Sequence, residues 1–308
     1  MDIKNCYVIF NKNAGKNRAG KIAQKIADEI EKQMGIKSSL LEASSKEQDQ
    51  SAISFIQNSP NTLLVMLGGD GTISSYMRAM ICANKVVPIA IYPCGTANDF
   101  ATSIKVPRNI KKFVMMLKSN EATLVDIAKA QNDYYAINAV GAGNFSNGVT
   151  VYNLKAKKFL GKFGYYFKCV REFFKMKSCI LHFKTESEEF SAETLMYYLV
   201  NSKQAGGFKK LSTNASITDG KWDLLVVKKC GFFACLGVFF SILAGKAEKN
   251  KNIITKQVKS LIVTGGENHE KFYRSDVDGN AGPEGALSVK VLNAQLPVIL
   301  NLENKPKK

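Results

Sequence analysis

The chain has no Cys-x-x-Cys pair, although it carries seven cysteines, an odd number scattered from Cys6 to Cys235. That spacing argues against a zinc site and against a disulfide framework, so a reducing compartment is expected. Histidine is scarcer still: His182 and His269 are the only two, neither stands in a cluster at ligand spacing, and both read as structural. The opening MDIKNCYVIFNKNAGK lacks the apolar core of a signal peptide, which makes a cytoplasmic location the expectation. The longest apolar run, residues 231–245 (GFFACLGVFFSILAG), falls short of the roughly 20 residues a transmembrane helix needs. It reads as a buried or amphipathic helix, with a surface that dips into lipid as the alternative. Internal repeats and low-complexity linkers are also missing.

Positive charge is abundant. Lys and Arg number 43 against 26 Asp and Glu, a net charge of +17, which suits nucleic acid, an anionic membrane or a phosphorylated ligand. Two stretches exceed the even background: KAKKFLGKFGYYFK at 155–168 and NKPKK at the C-terminus. Basic residues interleaved with aromatics serve RNA and membrane surfaces equally well, so charge alone does not choose.

With 308 residues, 45% of them hydrophobic, the chain can build one large domain or two ordinary ones. Residues 1–123 alternate apolar runs (CYVIFN, SSLLEAS, NTLLVML, VVPIAIY) with helical patterns. In one of these, AGKIAQKIADEIEKQM, Ile22, Ile26, Ile30 and Met34 share a face ahead of Gly35, a natural C-cap. A further helix is expected over 47–58. This rhythm predicts a three-layer α/β domain with a parallel sheet and ligands at the carboxyl ends of its strands. From 124 to 292, short β-type segments joined by turns such as QND and TDG predict a second, largely antiparallel domain. Helices are expected there near 154–174 and 232–247. A cleft between the two domains is the expected arrangement, with the segment from about 293 to 308 a candidate to return to the first.

Gly68-Gly69-Asp70-Gly71-Thr72 stands where an apolar strand ends and a helix begins. Glycines there let the backbone approach a phosphate, and the helix adds amides and the positive end of its dipole. Thr72 can cap that helix or donate to a phosphate oxygen. Asp70 is suited to a metal, a ribose hydroxyl or the attacking hydroxyl; the bland alternative is a solvated turn acid. FNKNAGK (10–16) repeats the logic at the end of the first strand, with Asn11 and with Lys16 as a cation. PCGTANDFA (93–101) does so again, with Gly95, Thr96 and Asn98 ahead of a helix. Three such loops describe a nucleotide site.

At this order and spacing, NKNAGK, GGDGT and GTANDFA resemble the catalytic domain of the diacylglycerol kinase superfamily, in particular the soluble bacterial lipid kinases, which are similar to sphingosine and ceramide kinases. The resemblance continues through VDIAKAQNDYYAINAVGAG, KKFLGKFGYY, VNSKQAGGFKKLSTNASITDGKWDLLVV and DVDGN. GGDGT alone also occurs in NAD kinases and phosphofructokinases, but GTANDFA and the later motifs favour lipid kinases.

The resemblance implies magnesium-assisted transfer of the ATP γ-phosphate to the hydroxyl of a diacylglycerol-like lipid, at the inner face of an anionic membrane. No nucleic acid is expected as a partner, and a homodimer is open. Nucleotide would meet Asn11, Lys16, Gly68, Gly69, Gly71, Thr72, Gly95, Thr96 and Asn98. Asp219 and Asp223 match a structural magnesium site; read alone, two carboxylates four apart in a turn share a hard cation or are simply solvated. Asp126 matches an acid of the active-site metal network. Two departures stand out. The family's Asn-Glu after GGDGT and one residue is Ser74-Ser75 here, and its Asp-Gly-Glu is Asp278-Gly279-Asn280, so a general-base candidate is gone. Asp278 and Asp70 are the remaining proton acceptors. A degenerate relative that binds without turnover, and a soluble NAD-kinase-like enzyme, are the alternatives.

Overall fold

The computed structural model describes residues 2–11, 18–43, 53, 56, 61–95, 97–119, 121–143, 178–265, 272 and 274–301. The chain forms two compact units, residues 1–127 with 293–308 and residues 128–292.

The first unit is built on β1 (Asn5–Asn11), α1 (Ala19–Met34), β2 (Ser38–Ala43), β3 (Thr62–Gly68), α2 (Asp70–Cys82), β4 (Ile89–Pro93), α3 (Asp99–Ser103) and α4 (Ile110–Ser119). It also holds most of β5 (Ala122–Ala130) and the end of β15 (Leu287–Ile299). Its sheet runs β15-β4-β3-β1-β2, and every neighbouring pair is parallel. Parallel strands covered on both faces read as continuous apolar runs, and all seven residues of β3 are buried. α1 ends at Gly35, which takes the left-handed conformation (φ 70°) and donates its N–H to the Glu31 carbonyl, 2.9 Å away. The helix turns Ala19, Ala23, Ile26, Ala27 and Ile30 inward. β4 begins later than its apolar run because Pro88 has no N–H to give the ladder.

β1 connects through α1 to β2 on one side, whereas β3 connects through α2 to β4 on the other. Right-handed crossovers in opposite directions place α1 and α2 on opposite faces and make the β1/β3 junction the switch point of the sheet. At that level stand Asn11, the last residue of β1, and Gly68, which pairs with Pro93 of β4.

The second unit contains β6 (Tyr134–Ala136), β7 (Ala139–Gly143), β8 (Cys179–Thr185), β9 (Glu189–Val200), β10 (Trp222–Lys228), α5 (Phe232–Leu243), β11 (Ile253–Val258), β12 (Ser260–Thr264), β13 (Arg274–Val277), β14 (Asn280–Glu284) and the start of β15. Its strands pair antiparallel in the order β14-β13-β7-β9-β8-β12-β15, with β10 joining β9 to β11. β10 shows the period of two. Trp222, Leu224 and Val226 enter one core with Phe183, Tyr197 and Leu261, while Leu225 and Val227 enter another beneath Cys235, Val238 and Ile242 of α5. One expectation is corrected here. The helix expected over 232–247 ends at Leu243, with a separate 3-10 turn spanning Ala247–Lys249. The helices expected over 47–58 and 154–174, apart from Ile53 and Ile56, lie outside the described residues, as do the two basic stretches and His269.

Candidate functional site

The glycine loops after β3 and β4 pack backbone to backbone. A Cβ on Gly95 would fall 2.4 Å from the Gly69 Cα and 2.9 Å from its nitrogen. Gly69 is extended (φ −92°, ψ 177°), so its requirement is space rather than dihedral freedom. One residue earlier, a Cβ on Gly68 would meet the Thr72 Cβ at 2.6 Å, and the Gly68 carbonyl accepts the Cys94 N–H at 2.9 Å. The glycines thus bring two strand ends together at the start of α2.

Side-chain hydrogen bonds then fix both loops. Asn98, left-handed at φ 53°, accepts the Gly95 N–H through Oδ1 and donates Nδ2 to the Gly95 carbonyl, both at 2.7 Å. Asp70, the first residue of α2, accepts the N–H of Asp99 at 2.8 Å on Oδ2 and that of Phe100 at 3.0 Å on Oδ1. Burial pushes the Asp70 carboxyl above its ordinary value; the amide bonds from Phe100 and Asp99 oppose that rise, and the Asp99 charge adds to it. Ser75 donates its hydroxyl to the Gly71 carbonyl of its own helix at 3.1 Å.

Asn11, Gly68, Gly69, Gly71, Thr72, Gly95 and Asn98 all stand at the carboxyl end of this parallel sheet or in the loops that leave it. Lys16 and Thr96 lie outside the described residues.

In the second unit, Asp278 and Gly279 form a two-residue turn between β13 and β14, with φ of 50° and 84°. Positive φ at both positions is the type I′ pattern that suits a hairpin and favours Asp-Gly. The buried Asp278 carboxylate accepts three backbone amides: Ile137 at 2.8 Å, Asn138 at 3.0 Å and Ala139 at 2.8 Å. Around it, Asn138 donates to the Gln204 carbonyl at 2.9 Å and accepts the Ser202 hydroxyl at 2.6 Å, while Asn201 donates to the Ile137 carbonyl at 2.8 Å. Asn280 is exposed at the first position of β14.

Sequence reasoning overlooked Asp276. It is buried in β13 opposite Gly141, accepts the Gly279 N–H at 3.0 Å, and burial raises its carboxyl to about 6. DVDGN displays this acid, but its burial comes from the pairing of β13 with β7 and β14, which local pattern does not announce.

Asp219 and Asp223 line a cavity of about 550 Å³, together with Ser212, Asn214, Glu248 and Gln257. Asp223 accepts the Ser212 hydroxyl, Asp219 accepts the Lys221 N–H at 3.0 Å, and Asn214 donates to Glu248 at 2.8 Å. Burial, more than the Asp219 and Glu248 charges, raises the Asp223 carboxyl, with Ser212 and Gln257 opposing. The carboxylate, amide and hydroxyl oxygens here fit a hard cation, and Lys256, which also lines the cavity, is paired with Glu188 at 2.7 Å. Among the described residues, however, no three metal-ligating side chains converge, so main-chain or water oxygens would have to complete the shell. Asp126, fully buried in β5, spends Oδ1 on the N–H of Ala294, a left-handed residue (φ 54°) of β15, at 2.8 Å. The motifs and packing of the glycine loops mark them as the phosphate-binding candidate.

Residues 5–130 match the family model for the diacylglycerol kinase catalytic domain. The chain is 29% identical over 232 residues to a diacylglycerol kinase of Staphylococcus carnosus (strain TM300), covering 75% of this chain and 73% of that protein. It is 27% identical over 234 residues to one of Staphylococcus aureus (strain JH9), covering 76% and 72%. A crystal structure of a diacylglycerol kinase from Bacillus anthracis str. Sterne superposes with a TM-score of 0.77 over 98% of this chain and 99% of that one, at 22% identity. That likeness shows the fold.

Proposed function

We propose that this chain, whose residues 5–130 match the family model for the diacylglycerol kinase catalytic domain, transfers the γ-phosphoryl group of ATP to the hydroxyl of a diacylglycerol-like lipid at a membrane surface. The observation that carries this reading is the close approach of Gly69 and Gly95, where a Cβ on Gly95 would fall 2.4 Å from the Gly69 Cα, on strand ends next to the switch point of a parallel sheet and at the amino end of a 13-residue helix. A helix amino end with closely approaching backbone is where phosphates bind.

In this reading the β- and γ-phosphates of ATP lie along Gly68–Thr72, with Thr72 donating to a phosphate oxygen, and the Gly95 loop and Asn11 border the nucleotide. An oxygen–phosphorus bond forms to the lipid hydroxyl as the bond to ADP breaks, and the hydroxyl proton is released to solvent water. Such transfers depend mainly on positioning and charge neutralisation. Asp70 and Asp278 serve as positioning residues, because their carboxylates are tied to two and three backbone amides. Magnesium, when bound, neutralises phosphate charge at the reacting centre; Asp219 and Asp223 are the residues that would hold a structural ion. Among the described residues no helix is long and apolar enough to cross a membrane, and peripheral association belongs to the same proposal.

The test is incubation of the protein with radiolabelled ATP, magnesium and a panel of diacylglycerols and related lipids in anionic vesicles. Labelled phosphatidic acid is expected; an absence of labelled lipid across the panel would overturn the reading.

A further inference from the structure

The residues of α5 divide into two opposed apolar sets. Cys235, Val238 and Ile242 are buried against the second unit's sheet, and the buried Phe239 meets the ring of Phe208 edge-on. Phe232, Phe233, Phe240 and Leu243 are turned outward, with Phe233 83% exposed and Phe240 56%. Positions 233, 236, 240 and 243 (Phe, Leu, Phe, Leu) recur at helical spacing, so the outward set is one continuous stripe. Every exposed phenylalanine among the described large hydrophobics is on this one helix. Single exposed apolar residues need no explanation, but a contiguous stripe of this kind marks an interaction surface.

The surroundings select the partner. Lys228 and Lys229 precede the helix, Lys246 and Lys249 follow it, and the Lys210 side chain lies against Gly245 at its carboxyl end. Lys229 is paired with Glu193 at 2.8 Å, and the adjacent acid Glu248 is engaged by Asn214. Twelve residues give a helix of about 18 Å, too short to span a bilayer but suited to lying in its surface, with aromatics toward the acyl chains and lysines at the headgroups. Lysine is depleted in protein interfaces relative to the rest of the surface, so the lysines at both ends of this stripe favour an anionic membrane over a protein partner.

We infer that the outward face of α5 is a membrane-docking surface for anionic lipid, seated by Phe233, Leu236, Phe240 and Leu243 and held at its ends by lysines. This deepens the lipid-kinase reading and rests on it, because it supplies the place where the second unit meets the lipid that carries the substrate.

The experiment measures co-sedimentation of the full chain, without nucleotide, with vesicles of phosphatidylglycerol and phosphatidylcholine (1:1) and of phosphatidylcholine alone. The Phe233→Glu/Phe240→Glu variant is expected to keep the wild-type melting temperature and to lose at least about tenfold in partitioning to the mixed vesicles. Lys246→Glu/Lys249→Glu is expected to weaken binding to the mixed vesicles and leave the weak binding to phosphatidylcholine unchanged. Unchanged partitioning of the phenylalanine variant would overturn the inference. So would sedimentation velocity showing a wild-type dimer and a monomeric variant, since the stripe would then be covered by a second copy. Phosphorylation of a dispersed short-chain diacylglycerol, measured in parallel, separates the two readings. Lost docking with no phosphorylation by either protein leaves the surface assigned and refutes the kinase, whereas phosphorylation with unchanged docking refutes only the surface.

Discussion

The Asp70 carboxylate accepts the backbone N–H of Phe100 at 3.0 Å and, on its other oxygen, that of Asp99 at 2.8 Å, so the acid of one glycine loop caps the helix that leaves the other. The bond spans about thirty residues of sequence and joins the ends of two adjacent strands. It explains why an acid sits among three glycines. The glycines bring the loops into contact, and the carboxylate locks them in register.

Removing that tie should cost stability and function together. Asp70→Ala leaves two part-buried amides without their acceptor, an expected loss of about 1–3 kcal/mol in urea unfolding. Asp70→Asn keeps one acceptor and should lose less. In both variants ATP affinity, read by isothermal titration, should weaken because the Gly95 loop is no longer held. Wild-type stability in Asp70→Ala would show that the capping bonds contribute nothing.

Two glycines give opposite outcomes for one substitution. Gly95→Ala puts a methyl 2.4 Å from the Gly69 Cα, and overpacking of this kind costs about 1–3 kcal/mol. At Gly237, in the middle of α5, an added methyl would meet nothing within 4 Å, and the backbone has no positive φ. Gly237→Ala should therefore stabilise by about 0.5–1 kcal/mol through helix propensity. Thermal melts of the pair check both signs.

Asp276 makes stability pH-dependent. Its folded value, about 6, lies above the ordinary 3.8, and burial is the cause. The folded state therefore holds a proton that the unfolded chain has released, so this group's favourable contribution is complete below 3.8 and is lost as pH rises through 6. The change is about 3 kcal/mol at most. Asp276→Asn should flatten the stability profile between pH 4 and about 6, measured as urea midpoints across that range. An unchanged slope would place the proton elsewhere.

How legible all this was depended on the range of each interaction. α1 was readable from its apolar spacing and Gly35, and β3 from an unbroken apolar run, because propensity and periodicity are local. GGDGT was readable as a strand-to-helix junction for the same reason. The work of its acid was not, since the Asp70 bonds reach 29 and 30 positions along the chain. Asp278 reaches back about 140 residues to Ile137, Asn138 and Ala139. The Asn98 ring around Gly95 is only three residues wide, yet it depends on a left-handed Asn that composition does not announce. β14 was missed because NAGPE has neither alternation nor β-branched residues; its pairing with β13 through the Asp278-Gly279 turn makes it a strand.

Asn280 supplies the last test. It stands where the resemblance to lipid kinases leads one to expect glutamate, at the exposed first position of β14, one residue beyond the turn that Asp278 anchors. An amide does not take a proton, and Asp278 is held by three backbone amides, so Asn280→Glu adds a carboxylate on a turn that is already fixed in place. Exposure makes the substitution nearly neutral for folding. If phosphoryl transfer is limited by the missing base, the variant should gain up to about 10²–10⁴ in kcat with little change in KM for ATP. The rate should also acquire an acidic limb set by the new carboxyl. A gain confined to KM would mean that the residue touches the nucleotide instead, and no gain at all would mean that proton removal is not limiting and the chain transfers phosphate without a base at this position.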